Sequence, residues 1–308
     1  MIEIVAQSES MREAVSLAER VAPTDANVLI TGESGSGKDA LAAFIHFRSH
    51  RRTQSFVKID CATLSSGLLE AELFGYERGA FTGASDAKPG RLEASHRGTL
   101  SLDEIAYLPN DAQAKLLRVI ETREFERLGG RRTIKVDARL IALTNVDLAQ
   151  AVLRRDFRED LFYRLNVVHI QVPSLRQRRE DLPALIQSFL ATFSRKHGRQ
   201  TLGIAPASLA VLGEYEFPGN VRELANTIER AVIVATGRRV EESDLPDSLR
   251  DAVKLKSRRE QPRTLAQLEA EYVAEILGVT KGNKTEAARI LGISRKNLYE
   301  RIARLGKG

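Results

Sequence analysis

The stretch Gly32-Glu33-Ser34-Gly35-Ser36-Gly37-Lys38 directly follows the apolar run Val28-Leu29-Ile30 and leads into a helix-like segment, Leu41-Ala42-Ala43-Phe44-Ile45. Few local patterns restrict a fold as tightly. A strand that ends in glycine-rich backbone at the start of a helix opens onto an anion, because Gly32, Gly35 and Gly37 let successive N–H groups turn inward. Lys38 then brings positive charge to β- and γ-phosphates, and the spacing is that of a Walker A loop, so ATP is the expected ligand. A glycine-rich turn without a ligand is the plainer alternative, and the strand and helix on either side argue against it. Asp39 stands where most such loops carry the Ser or Thr whose hydroxyl binds Mg²⁺. Magnesium ligation is therefore expected to be shared differently, through water or a second carboxylate.

Short apolar runs ending in polar residues recur at Val28–Ile30, Phe56–Ile59, Thr99–Leu102, Leu140–Leu143 and Val167–Val172. Helical patterns accompany them, notably Ser10–Val21 before the first and Asp111–Ile120 before the fourth. The expected fold is α/β, with five parallel strands, right-handed crossovers and both sheet faces covered. Ligands in such sheets sit at the carboxyl ends of the strands. From Asp181 to about Leu249 the pattern is helical, with Leu182–Phe193, Ala207–Tyr215 and Val221–Ala235 separated by Gly and Pro, which reads as a small helical lid. The next stretch carries Lys254, Lys256, Arg258, Arg259 and Arg263 with little apolar content, and reads as an exposed linker. The expected division is 1–173 for the α/β part, 174–249 for the lid, 250–263 for the linker and 264–308 for a separate all-helical module.

A chain of 308 residues exceeds one compact core. No apolar run approaches the roughly 20 residues of a membrane span. The amino terminus, Met1-Ile2-Glu3-Ile4-Val5, lacks the basic-then-apolar pattern of a secretory signal. A cytoplasmic protein with no membrane partner is expected. Cys61 is the single cysteine, which excludes an internal disulfide, and the five histidines form no ligand cluster with it. The net charge of +6 is uneven, since residues 252–308 hold 13 Lys/Arg against 6 Asp/Glu. A basic tail meets nucleic acid or is a solvated face, and charge alone does not choose between them.

Leu100-Ser101-Leu102-Asp103-Glu104 has the form of a Walker B strand, in which Asp103 holds Mg²⁺ and Glu104 polarises the attacking water as general base. Adjacent carboxylates after a strand also cap helices; the Walker A loop upstream favours the catalytic reading. Asn145 ends the next strand, where it can orient water or γ-phosphate. With GESGSGKD at 32–39, ELFGYERGAFTGA at 72–84, GTLSLDEI at 98–105, FREDLFYRLNV at 157–167 and FPGNVREL at 217–224, the chain resembles the AAA+ ATPases. Within them it resembles the bacterial enhancer-binding activators of sigma-54 RNA polymerase, nearly end to end.

That resemblance implies Asn145 as sensor I, Arg158 and Arg164 as arginine fingers reaching a neighbouring subunit's nucleotide, and Arg222 as sensor II. It also implies Asp60 as a switch residue that holds Glu104 away from water until the partner is engaged. An arginine completing a neighbour's site makes hydrolysis depend on assembly, so a hexameric ring is implied. Pairing of Arg158 and Arg164 with Glu159 and Asp160 is the simpler alternative. Phe217 replaces the family's usual lid tryptophan and Ser36 its usual threonine, and neither is expected to abolish activity.

Gly79-Ala80-Phe81-Thr82-Gly83-Ala84 contains nothing that titrates, yet it sets an aromatic and a hydroxyl among small residues. Such a hexamer is ordinarily a turn. In the family this GAFTGA sequence tips a surface loop that contacts sigma-54 and moves with ATP hydrolysis, which implies Phe81 and Thr82 as the main contacts.

In the tail, Thr264-Leu265-Ala266-Gln267 reads as a capping box opening a helix through Leu277, and Asn283-Lys284-Thr285-Glu286 as a second opening a helix to Leu291. Gly292 turns the chain, and Ser294 can cap a third helix with the apolar face Leu298, Ile302 and Leu305. Arg295, Lys296, Asn297, Arg301 and Arg304, with Ser294 and Tyr299, are the candidate DNA contacts of a recognition helix. A small interaction bundle is the alternative. The stretch resembles the Fis-type module that ends many sigma-54 activators, which implies a dimer on a palindromic upstream enhancer site.

The resulting expectation is an ATP-driven activator that binds enhancer DNA, forms a ring and remodels sigma-54 polymerase, with ATP and Mg²⁺ as cofactors. An AAA+ remodeller of another substrate and a DNA-binding regulator with a dead ATPase are the competing classes. The first is opposed by the intact GAFTGA and the second by the intact Lys38, Asp103, Glu104, Arg158 and Arg164. Family members commonly carry an amino-terminal sensory domain, so the chain reads as a truncation or as a short form controlled in trans by another protein.

Overall fold

The computed structural model describes residues 4–200, 203–260 and 264–305, with side chains except at 254, 256–260, 265, 271 and 303–305. Two units emerge, Met1–Pro246 and Asp247–Gly308. The first is built on five parallel strands: β1 (Val28–Thr31), β2 (Phe56–Asp60), β3 (Thr99–Asp103), β4 (Arg139–Thr144) and β5 (Val168–Gln171), in the order β2-β3-β4-β1-β5. All five coincide with the expected apolar runs. The inner strand β4 is buried along its whole length, as a strand covered on both faces must be.

Alternation along the strands sorts two cores. Val28, Ile30, Ile141 and Leu143 face the helices Glu9–Val21 and Lys38–Arg48, meeting Met11, Ala18, Leu41 and Ile45. Leu29, Leu100, Leu102, Leu140 and Ala142 face the other way, onto Leu73, Phe74, Leu116 and Leu161 of the helices Ser66–Phe74, Asn110–Thr122 and Glu159–Leu165. Arg139 opens β4 and is 1% exposed. Its guanidinium donates to the carbonyls of Ala22 at 2.7 Å, Val21 at 2.9 Å and Ala26 at 3.3 Å, where the first helix ends. Burial pushes the Arg139 pKa down to about 10.

Two antiparallel ribbons have no counterpart in the sequence reading, namely Gly75–Tyr76 with Lys88–Pro89 and Glu124–Glu126 with Thr133–Lys135. Strands of two or three residues are too short to show a period. The lid consists of the helices Leu182–Lys196, Pro206–Glu214 and Asn220–Val234 with a parallel pair, Gly203–Ile204 and Arg239–Val240.

In the second unit, residues 250–263 depart from expectation. The exposed linker read there lies mostly in a helix, Asp247–Glu260. Its sequence contains neither Gly nor Pro and half of it is Leu, Lys and Arg, all good helix formers, so a low apolar content was no bar to helix. Arg263 falls outside the described residues. Three further helices follow, Leu265–Val279, Lys284–Ile290 and Arg295–Leu305, around Val273, Ile276, Ala287, Ala288 and Leu298. The capping box at Thr264 and Gln267 is formed, and Asn283 accepts from the amides of Thr285 and Glu286.

Candidate functional site

The glycine-rich loop leaves β1 at its carboxyl end, and Gly37, at φ 108°, caps the helix Lys38–Arg48. Four lid residues hold it. Arg176 forms a bidentate pair with Glu33, one arm at 2.8 Å. Asn220 is fully buried and donates to the Glu33 carboxylate and the Ser34 carbonyl, both at 3.1 Å, while its own oxygen accepts the Leu175 amide at 2.7 Å. Arg222 donates to the Ser34 hydroxyl at 3.0 Å. Arg178 donates to the Ser36 carbonyl. Gly35, at φ +73°, could bear no side chain here, because a Cβ would collide with the Gly219 carbonyl oxygen.

Lys38 folds back over the loop, its Nζ donating to the carbonyls of Gly32 at 2.8 Å and Glu33 at 3.3 Å. It also stands 3.8 Å from Glu104 Oε1. Burial holds the Lys38 pKa below the usual lysine range, opposed by the neighbouring carboxylates. Asp103 ends β3 and its carboxyl is pushed up, first by burial and then by the charges of Asp39 and Glu104. Asp39 pairs with Lys58 of β2. Lys38, Asp39, Asp103, Glu104 and Arg222 share a cavity of about 250 Å³ with Phe189 and Val221 from the lid.

Glu104 takes a left-handed backbone, φ 50° and ψ 49°, a conformation that costs about 1–2 kcal/mol for a residue with a Cβ. Its carboxylate accepts the Asn145 amide at 3.2 Å. Asn145 thus contributes backbone to Glu104, and it lines a neighbouring cavity of about 510 Å³ with Thr31, Glu33 and His169. The expected hold of Asp60 on Glu104 is not made. Asp60 turns to the Ala62 amide at 2.8 Å, the local side-chain bond by which an Asp closes its own turn.

Arg158 and Arg164 line neither cavity. Arg158 is bidentate with Asp160 at 3.0 and 2.7 Å, and Arg164 pairs with Glu121 at 3.2 Å. Both side chains are largely exposed.

The loop Gly79–Ala84 is closed by the Gly79 amide on the Ala84 carbonyl at 2.9 Å and the Ala84 amide on the Phe81 carbonyl at 3.0 Å. Phe81 is 41% exposed and stacks edge-on against Tyr76, 5.0 Å between ring centres. The second ribbon supports its base. Gly129, at φ +70°, leaves no room for a Cβ, which would stand 2.9 Å from that of Ala80, and Arg127 joins Glu77 at 3.2 Å to Glu93 at 2.7 Å.

In the second unit the Ser294 hydroxyl accepts the Asn297 amide at 3.2 Å, so it is a helix cap. Arg301 pairs with Glu269, and Tyr299 lies under Lys284, 4.6 Å from the ring centre. Arg295, Lys296 and Asn297 are exposed, whereas the Arg304 side chain is outside those described. Sequence reasoning missed Arg176, Arg178, Asn220, Lys58 and the Arg127 network. The charge-dense run 176–181 was the available signal for two of them.

Residues 4–171 match the family described as "Sigma-54 interaction domain", residues 176–262 "AAA+ ATPase lid domain" and residues 264–305 "Bacterial regulatory protein, Fis family". The chain is 44% identical to regulatory protein AtoC of Escherichia coli (strain K12), over 98% of this chain and 68% of that protein. It is 50% identical to the Nif-specific regulatory protein of Rhizobium leguminosarum bv. trifolii, over 79% of this chain and 69% of that one. The crystal structure of NtrX from Brucella abortus in complex with ATP superposes with a TM-score of 0.76 at 35% identity, covering 99% of this chain and 70% of NtrX. The strand order, the lid and the terminal helices therefore have one common account: the chain belongs to the sigma-54-dependent transcriptional activators, with an AAA+ ATPase domain and a Fis-type helix-turn-helix.

Proposed function

We propose that this protein hydrolyses ATP to remodel sigma-54 RNA polymerase through the loop Gly79–Ala84, acting as a hexameric ring and binding an upstream enhancer as a dimer through residues 264–308. The observation that carries the reading is Glu104, held in a left-handed conformation between Lys38 and the Asn145 amide at the floor of the phosphate-loop cavity. Lys38 donates to two loop carbonyls and stands beside Glu104. Phosphates that claim Lys38 free the Glu104 carboxylate to take a proton from the attacking water. Asn145 passes that change into β4, and Arg222 reads the same event from the lid. Arg158 and Arg164 complete a neighbour's site, which accounts for two exposed arginines on weak partners.

The carboxylates of Asp39, Asp103 and Glu104 share that cavity with Lys38 and Arg222, and burial, followed by the charges of Asp39 and Glu104, raises the Asp103 pKa. This suits Mg²⁺, a hard cation bound through one or two carboxylates, water and phosphate. Asp103 would hold it and Asp39 would approach through water, with Lys58 balancing Asp39. Bound there, the ion would neutralise developing phosphate charge. The described residues contain no preformed three-ligand metal centre.

Exposed Phe81 at the loop tip fits insertion into a partner, and Arg295, Lys296 and Asn297 fit a major groove. No described helix is long and apolar enough to cross a membrane, and function in the cytoplasm, under a regulatory protein in trans, accords with a DNA-bound activator. The test is to mix the protein with sigma-54 and ADP–aluminium fluoride and compare it with Thr82→Ala. A stable complex from the wild type alone is expected. ATP hydrolysis without any complex would remove sigma-54 as the substrate and point to another AAA+ target.

A further inference from the structure

Beneath the phosphate loop lies an ion pair with no assigned role. Asp181 is 0% and Arg178 3% exposed, with Arg178 Nη1 3.6 Å from Asp181 Oδ2. The other arm of the guanidinium donates to the Ser36 carbonyl, and Nε finds no partner among the described residues. Asp181 Oδ1 accepts the amides of Gln7 at 2.5 Å and Ser8 at 2.7 Å, and Oδ2 accepts the Ser8 hydroxyl at 3.2 Å. Ser8 in turn caps the first helix. Two distant pieces of chain therefore meet on one buried carboxylate, and Arg178 links them to a third, the phosphate loop.

We propose that Arg178 is the positioning residue of the phosphate loop, and that Asp181 both fixes it and couples the loop to the segment Gln7–Ser8. The reading rests on the ATP site proposed above. A loop whose amides converge on an anion must turn its carbonyls outward, because a carbonyl facing inward opposes the phosphate. Each outward carbonyl then needs a donor behind it. Ser34 receives Asn220, Gly35 receives the Arg222 amide, and Ser36, the residue two before the lysine, receives Arg178. Arg178 Nη2 lies 3.9 Å from where a Gly37 Cβ would stand, directly under the turn that ends in Lys38. A fully buried ion pair contributes little net stability compared with well-packed apolar side chains. What it supplies is orientation, because one guanidinium spans the Ser36 carbonyl and Asp181. Burial lowers the Arg178 pKa and Asp181 opposes this, so the guanidinium stays charged.

The experiment measures binding of ATPγS and of adenosine, by calorimetry, to the full chain and to Arg178→Gln, Arg178→Lys and Asp181→Asn. A residue that shapes only the phosphate loop affects the first ligand and spares the second. Arg178→Gln is expected to weaken ATPγS by about tenfold or more, the scale of a hydrogen bond to a charged group, with adenosine unchanged. Arg178→Lys keeps charge but cannot hold Ser36 and Asp181 together, and is expected to fall between; it carries the comparison if Arg178→Gln does not fold. Asp181→Asn is expected to lower ATPγS affinity and to speed amide exchange at Ser8 and Met11. Unchanged ATPγS affinity, or equal losses for both ligands, would overturn the proposal by showing no role or a merely structural one. A wild type that binds no ATPγS would instead overturn the nucleotide reading itself.

Discussion

At the scale of single residues, the site separates binding from turnover. On the proposed function Lys38 and the loop amides bind phosphate and Glu104 takes a proton, so Glu104→Gln is expected to keep ATP affinity and lower hydrolysis by about a hundredfold or more. Equilibrium binding beside steady-state phosphate release checks this; loss of both together would make Glu104 a structural cap. His46 supplies a second test. It is fully buried, stacked on Phe56 at 5.0 Å, with Nδ1 2.9 Å from the Thr99 hydroxyl. Burial holds its pKa below 6.5. The unfolded chain therefore takes up this proton at higher pH than the folded one, and the stabilising contribution is present above about 6.5 and lost as pH falls through the lower folded value. The thermal midpoint is expected to drop between about pH 7.5 and about pH 5.5, and to drop less in His46→Gln.

At the scale of elements, small ribbons and caps do work that their length conceals. The ribbon Glu124–Lys135 props the loop Gly79–Ala84 through Gly129, whose left-handed backbone and contact with Ala80 admit no side chain. Gly129→Val would carry the strain of a β-branched residue at positive φ, about 1–3 kcal/mol. It is expected to retain nucleotide binding while weakening the ADP–aluminium fluoride complex with sigma-54. An unaltered complex would free the ribbon of that role. In the second unit, Asn283 accepts two amides at the start of Lys284–Ile290. Asn283→Ala is expected to cost about 1 kcal/mol of stability, read by urea unfolding of the four-helix unit, with DNA affinity preserved at saturating stability.

At the scale of the whole molecule, the exposed pairs Arg158–Asp160 and Arg164–Glu121 carry the prediction. Hydrolysis per subunit is expected to rise with protein concentration, and Arg158→Ala to flatten that rise without lowering ATP affinity; a concentration-independent rate would remove the ring from the mechanism. Much of this architecture was already legible in the linear chain. The five strands are apolar runs bounded by polar residues, the caps at Thr264 and Asn283 are local hydrogen bonds, and the Walker loops place their residues by adjacency. Such features depend on neighbours within four residues, and propensity and periodicity record them. Contacts between residues over a hundred positions apart leave no such trace. Asn220 on Ser34, Arg178 on Ser36 and Asp181 on Gln7 each join segments that only the closed lid brings together. Asp60, implied by the family resemblance as a restraint on Glu104, accepts the Ala62 amide of its own turn. Which side chains line the glycine-rich loop was written into the order of residues, but which ones hold those side chains in place was decided by packing, where buried charge had to find its partners across the fold.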